Sequence, residues 1–237
     1  MSMNDGNKID KAEAGSCIQR RLKWKRLNGD SNRDIDTRIA VLSTFTAYPL
    51  EPYLGFALHD KGFNAEILNG PYNQIMQQCL DDQSETAQYR PDILVIWPRF
   101  EDIWYGSALP FDDDFAQYSQ MSEEIVTVSL VAAHRWGCQL IFVLPVIPET
   151  RLLGAGDAGG IRCVFSTASR LRELMRQRLA SKRKVFIVDS EEAVRYLGVA
   201  GSYNYRLQGL ARIPYREELF NFVGERCARL VDMARDH

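Results

Sequence analysis

The 237-residue sequence is poor in histidine: His59, His134 and His237 are the whole supply. A chemistry that relies on an imidazole base therefore has few places to find one. The five cysteines, Cys17, Cys79, Cys138, Cys163 and Cys227, are scattered without CxxC spacing. That odd, dispersed set argues against a disulfide frame or a cysteine-held zinc, and reads as reduced thiols of a cytoplasmic protein. No metal site and no cofactor is expected. The longest apolar run, Leu140 to Ile147, is too short to cross a bilayer. The opening stretch MSMNDGNKIDKAEAG has no apolar core of a secretory signal. Neither sign of charge dominates: 29 basic against 31 acidic residues leave a net charge of -2. There is no electrostatic case for nucleic acid or a membrane as partner.

What is present is enough apolar content, 46%, for one sizeable core. Residues 1–36 read as a polar N-terminal tail, disordered to about residue 16, with a short basic amphipathic helix over 17–27, CIQRRLKWKRL. Ile18, Leu22 and Trp24 fall near one face of it. Such a helix either packs on the edge of the domain or docks an acidic partner. Residues 37–237 form the domain proper. Strands are expected at 38–44, 63–69, 91–97, 139–147 and 184–190. Helices are expected at 50–62, 72–82, 115–136, 164–181 and 215–235. Short apolar runs alternating with helical periods indicate an α/β fold, a three-layer flavodoxin-like sandwich with about five parallel strands. Functional groups in such a sheet gather at the carboxyl ends of the strands.

That rule sorts the motifs. Gly29-Asp30-Ser31-Asn32 spells the GDS signature of SGNH/GDSL esterases, but follows a basic helical segment and precedes the first strand, so it reads as a turn. The GAGDAG at 154–159 matches GxGxxG in letters only. It does not leave a strand directly, and the region about 20 residues on is basic, so it reads as a loop. FDDDF at 111–115 reads as a solvated loop or a helix cap. Ser43 and Thr44 pass the positional test at the end of the first strand, with Thr46 close behind. Their hydroxyls either cap the following helix or serve a site, Ser43 and Thr44 as nucleophiles and Thr46 in binding. At the second strand end, Gly70 allows close backbone approach, and Asn73 or Gln74 offers a hydrogen bond to a ligand. At the third, Arg99 either forks onto a phosphate or carboxylate, or pairs with Asp102.

A serine hydrolase of this layout needs a histidine shortly before its last helix. The stretch 189–219 has none and carries Tyr196, Tyr203, Tyr205, Arg206, Arg212 and Tyr215 instead. Tyr203, Asn204 and Arg206 are therefore candidates for binding, since tyrosine is a poor base near neutrality. His59 and His134 both lie near helix ends, away from the expected site.

The run RIAVLSTFTAYPLEPYLGFALHDKGFNAEILNGPYNQIMQQCLDD, followed by RPDILVIW, resembles the N-terminal SGNH-like region of FkbH-like proteins of polyketide biosynthesis. The pattern LS-x-FT-x(2)-PLEP-x-L covers its first part, and a late segment, YRLQGLARIPYREELFNFVGERCARL, resembles the close of that region. In that family the region is joined to a HAD-type phosphatase-like domain, and a glyceryl unit is loaded onto an acyl carrier protein. No DxDxT-type motif occurs in this sequence. The resemblance implies an SGNH-like fold, with Ser43 and Thr44 at the nucleophile's place, Gly70 at a glycine donor's and Arg99 near the usual asparagine's. It further implies a non-classical member that binds an acyl or glyceryl carrier protein, or a HAD-type partner. The competing expectation is an atypical esterase or acyltransferase using Ser43 or Thr44.

Overall fold

Runs such as Ile39-Ala40-Val41-Leu42 and Ile93-Leu94-Val95-Ile96 have no polar break, as a strand buried on both faces requires. In the computed structural model, which describes residues 6–29, 33–104, 115–148 and 164–235, with side chains from residue 17 on, these runs form the middle of a sheet. Five strands, β1 (Thr37–Ser43), β2 (Ala65–Asn69), β3 (Ile93–Trp97), β4 (Gln139–Leu144) and β5 (Val185–Asp189), lie parallel in the order β2-β1-β3-β4-β5. The helices are α1 (Gly6–Asn28), α2 (Glu51–His59), α3 (Ile75–Leu80), α4 (Glu85–Tyr89), α5 (Phe100–Ile103), α6 (Phe115–Trp136), α7 (Val164–Leu179), α8 (Glu191–Ser202), α9 (Tyr205–Ala211) and α10 (Glu217–Arg235). The α/β class, the parallel sheet and the flavodoxin-like order are as the sequence predicts. Strand order reverses between β1 and β3, so their carboxyl ends form the topological switch point.

By contacts the chain divides into two compact units. One comprises Ile39–Phe45 and Leu68–Glu192. Within it Ala40, Leu42, Leu94, Ile96, Leu140 and Phe142 point to one face of the sheet, into a core completed by α3, α6 and α7. Ile39, Val41, Val95, Ile141 and Val143 point to the other face and are equally buried. Both faces are thus apolar, which explains the unbroken runs. The long helix α6 closes at Gly137, with φ 71°, as its position after an apolar period predicts.

The other unit comprises Met1–Arg38, Thr46–Ile67 and Ala193–His237. Here the sequence reading needs correction. Helix α1 runs from Gly6 to Asn28, longer than the expected 17–27 and through residues expected to be disordered. Among its described side chains Cys17 and Trp24 are buried, while Ile18 and Leu22 are exposed. The face is chosen by Trp24, whose ring lies where a Cβ on Gly55 would come within 2.5 Å of it. Trp24 Nε1 also donates to Glu51 at 3.1 Å, and Arg20 and Arg21 reach Glu225 and Glu217 of α10. A single large ring with a fitted seat and flanking ion pairs outweighs two aliphatic side chains. Helices α8 and α9 also go beyond the sequence expectation, which places no element between residues 190 and 215.

Candidate functional site at the carboxyl ends of β1 and β3

The register pairs Ser43, the last residue of β1, with Trp97, the last of β3. The chain then continues as Thr44 and Phe45 on one side and as Arg99 and α5 on the other. Phe45 packs edge-on against Trp97 at 5.1 Å between ring centroids, and both are buried. That contact seals the floor of the switch point with apolar rings.

Both hydroxyls are buried, and both are spoken for. Ser43 Oγ donates to the Phe45 carbonyl two residues on, at 2.5 Å. Thr44 Oγ1 donates to Asp102 Oδ2 at 2.9 Å and accepts from the Arg99 backbone N–H, also at 2.9 Å. Thr44 thus ties the end of β1 to the first turn of α5. Neither hydroxyl caps α2, whose N-cap is Leu50 without a side-chain bond, so the capping expectation is replaced by this tie.

Arg99 is buried, its Nε 3.1 Å from Glu101 Oε2 and 3.6 Å from Asp102 Oδ2. Of the two expectations for Arg99, a fork on a ligand or a pair with Asp102, this geometry is the pair, with Glu101 added. Burial pushes the Glu101 carboxyl above its ordinary range, against the pull of the Arg99 guanidinium. Asp102, noticed in the sequence only as a partner for Arg99, sits between that guanidinium and the Thr44 hydroxyl. The 58 residues separating Thr44 from Asp102 in sequence leave no spacing that announces the bond.

Gly70 follows β2, and its N–H donates to the Val41 carbonyl at 2.9 Å. A Cβ there would lie 2.2 Å from Leu42 Cδ2, so glycine is required by close approach to β1. Asn73 adopts φ 54° and donates its backbone N–H to the Ser43 carbonyl at 3.2 Å, leaving its side chain exposed. Ser43, Thr44, Gly70, Asn73 and Arg99 are therefore gathered by bonds within one unit.

Thr46, Tyr203, Asn204 and Arg206 belong to the other unit. There Thr46 N donates to the Arg212 carbonyl at 2.9 Å. Asn204 caps α9, its Oδ1 accepting from Leu207 N at 3.1 Å. Tyr203 is buried, bridges antiparallel to Tyr215 and stacks on Tyr205 at 5.9 Å, while Arg206 is exposed.

His134 lies in the last turn of α6, just before β4 begins, at the edge of the sheet opposite Ser43. With Lys182, Arg183 and Lys184 it lines a cavity of about 670 Å³. These bases stand at the C-termini of α6 and α7, and Lys184 Nζ donates to the Gly137 carbonyl at 3.2 Å, complementing the helix ends. His59 ends α2, and His237 lies outside the described residues. Ser31 of the GDSN turn, the GAGDAG loop, Asp112 to Asp114 and Cys163 also lie outside them. Among the described residues no helix is long and apolar enough to cross a membrane, and no cluster of three or more His, Cys, Asp or Glu is placed to hold a metal.

A family model described as the FkbH N-terminal domain matches residues 38–232. No curated protein matches the sequence. Among solved structures, the chain is similar to the N-terminal part of a Bacteroides fragilis protein that contains a phosphatase domain complexed with Mg. The TM-score is 0.75 at 14% identity, over 89% of this chain and 56% of that one. It is also similar to an acetylxylan esterase from Geobacillus stearothermophilus, TM-score 0.54 at 13% identity, over 84% and 95% of the two chains. A second acetyl xylan esterase gives 0.53 at 12%, over 82% and 99%. At such identities the likeness is one of fold. The chain spans little more than half of the Bacteroides fragilis structure.

Proposed function

Because the chain belongs to the FkbH N-terminal domain family, we propose that it is a non-hydrolytic SGNH-like module of carrier-protein-dependent biosynthesis, polyketide or related. It acts by binding an acyl or glyceryl carrier protein, or a HAD-type phosphatase-like partner. The observation that carries this reading is the state of the two hydroxyls. Ser43 is spent on the Phe45 carbonyl, and Thr44 on Asp102 and the Arg99 N–H. A nucleophile needs a base that takes its proton and a donor pair that receives the oxyanion. Among the described residues neither hydroxyl hydrogen-bonds to an imidazole, and the Gly70 N–H is occupied by the Val41 carbonyl. The similarity to a protein with a phosphatase domain supports a phosphatase-like partner.

Titrating the full chain with a candidate acyl carrier protein and, separately, with a HAD-type partner tests the reading. Saturable binding to either, unaffected by Thr44→Val, supports it; failure to bind both contradicts it. The alternative, an atypical esterase or acyltransferase, has one favouring observation, the 2.9 Å Thr44–Asp102 bond, through which a carboxylate can accept the hydroxyl proton. In that case Thr44→Val abolishes turnover.

A further inference from the structure

We propose that the segment from α8 through α9 is a docking surface for an acidic, helical face of a partner protein. This rests on the reading above that the domain acts by binding a protein, and adds where and with what chemistry. Glu191 and Glu192 open α8 and Glu217 and Glu218 open α10; between them, residues 193–216 hold four arginines, Arg195, Arg206, Arg212 and Arg216, and no acidic residue, in a chain whose net charge is -2. The first three are exposed and make no ion pair among the described residues; Arg216 donates Nε to the Tyr203 carbonyl at 3.1 Å.

Between these charges the same segment exposes large apolar side chains. Tyr196 is 70% exposed, Tyr205 62% and Leu210 75%, with Leu207 also accessible. Helix α9 buries none of its residues. Arg206 and Leu210 are one turn apart on it, and Leu207 flanks them, so charge and apolar surface share one face. The helix is nonetheless well defined, capped at one end by Asn204 and closed at the other by Arg212 with φ 57°. Backbone bonds from Thr46 N to the Arg212 carbonyl and from Ile213 N to the Leu207 carbonyl hold the helix, which leaves its side chains to the solvent.

The composition selects the occupant. Tyrosine and arginine are the residues enriched at the centres of protein interfaces. The guanidinium fork matches a carboxylate in two-point geometry. Lysine is absent from residues 193–216, whereas basic surfaces for nucleic acid or lipid use lysine as freely as arginine. A helix with a Leu face rimmed by Glu or Asp satisfies both parts of the surface.

The test is calorimetric titration of the full chain at low salt with a synthetic amphipathic helix of Leu face and Glu rim. The same helix with a Lys rim, a DNA duplex and anionic phospholipid vesicles serve as comparisons. The Glu-rimmed helix is expected to bind and the Lys-rimmed one not. Combining Arg195→Glu, Arg206→Glu and Arg212→Glu is expected to weaken binding at least about tenfold. Leu207→Ser with Leu210→Ser is expected to weaken it as well, with the thermal midpoint unmoved in both variants. Equal binding by the charge-reversed chain, or tighter binding to duplex or vesicles, overturns the proposal. A carrier protein or HAD-type partner that binds the wild-type and charge-reversed chains alike overturns the surface while leaving the protein-binding reading intact. Binding of the Glu-rimmed helix without binding of either protein does the reverse.

Discussion

The carboxyl ends of β1 and β3 and the α8–α9 segment treat their polar groups in opposite ways. At the switch point, where an esterase would keep a hydroxyl ready, Ser43, Thr44, Arg99 and Asp102 bond to one another and to backbone over Phe45 and Trp97. Along α8 and α9, Arg195, Arg206 and Arg212 stand in solvent among exposed Tyr196, Tyr205 and Leu210. Burial makes the difference consequential. A polar group withdrawn from water must be paired, whereas one left in water makes no such demand. The first region therefore reads as scaffold, despite residue types that suggest chemistry. The second, in a stretch where the sequence pattern predicts no element, is the surface proposed for recognition.

Substitutions should reveal this contrast, the largest effect first. Asp102→Ala removes a partner of the buried Arg99 and the acceptor of Thr44 at one stroke. It is expected to cost about 3 kcal/mol in urea unfolding, the order seen when one member of a buried ion pair is deleted. Thr44→Val keeps the volume but leaves Asp102 and the Arg99 N–H without the hydroxyl. A loss of about 1–3 kcal/mol is expected, most of it recovered by Thr44→Ser. A neutral Thr44→Val would mean that the tie does not stabilise the switch point.

Glu101 supplies a pH test within the same region. Burial, the largest influence, raises its folded-state pKa above the unfolded one despite Arg99. Its contribution is therefore fullest below the ordinary glutamate pKa and is lost as pH rises through the raised value. Thermal midpoints across that window should fall more steeply with pH for wild type than for Glu101→Gln. Matching slopes would remove Glu101 from the account.

The smallest effect is expected on the open side. Arg195→Glu, Arg206→Glu and Arg212→Glu, taken singly, should each change stability by no more than about 0.5 kcal/mol, because no buried group depends on them. A cost like that of Thr44→Val would show α8–α9 to be scaffold too.

Much of the sheet was legible because β1 and β3 are unbroken apolar runs, and Pro91 and Pro98 bracket the third. The candidate residues at the strand ends followed from the positional rule alone. What escaped had no period to read. Helix α5 has four residues, α8 is broken at Gly198 with φ 71°, and α9 has no buried side chain to mark an inner face. In α1 the apolar pattern groups Ile18, Leu22 and Trp24, but only Trp24 of the three is buried, in its seat at Gly55. The Thr44–Asp102 bond depends on β1 and β3 being neighbours, a fact of topology that local spacing does not carry.

The claim that the switch-point hydroxyls are structural meets its most direct test in active-site labelling with a fluorophosphonate probe, paired with turnover of a short-chain aryl ester. Wild type, Ser43→Ala and Thr44→Val are compared side by side. An unassisted hydroxyl forgoes the roughly 10²–10⁴-fold that a positioned base supplies. The expected result is no labelling and negligible turnover in all three proteins. Labelling of the wild type at Ser43 or Thr44, with ester hydrolysis that either substitution abolishes, would contradict it.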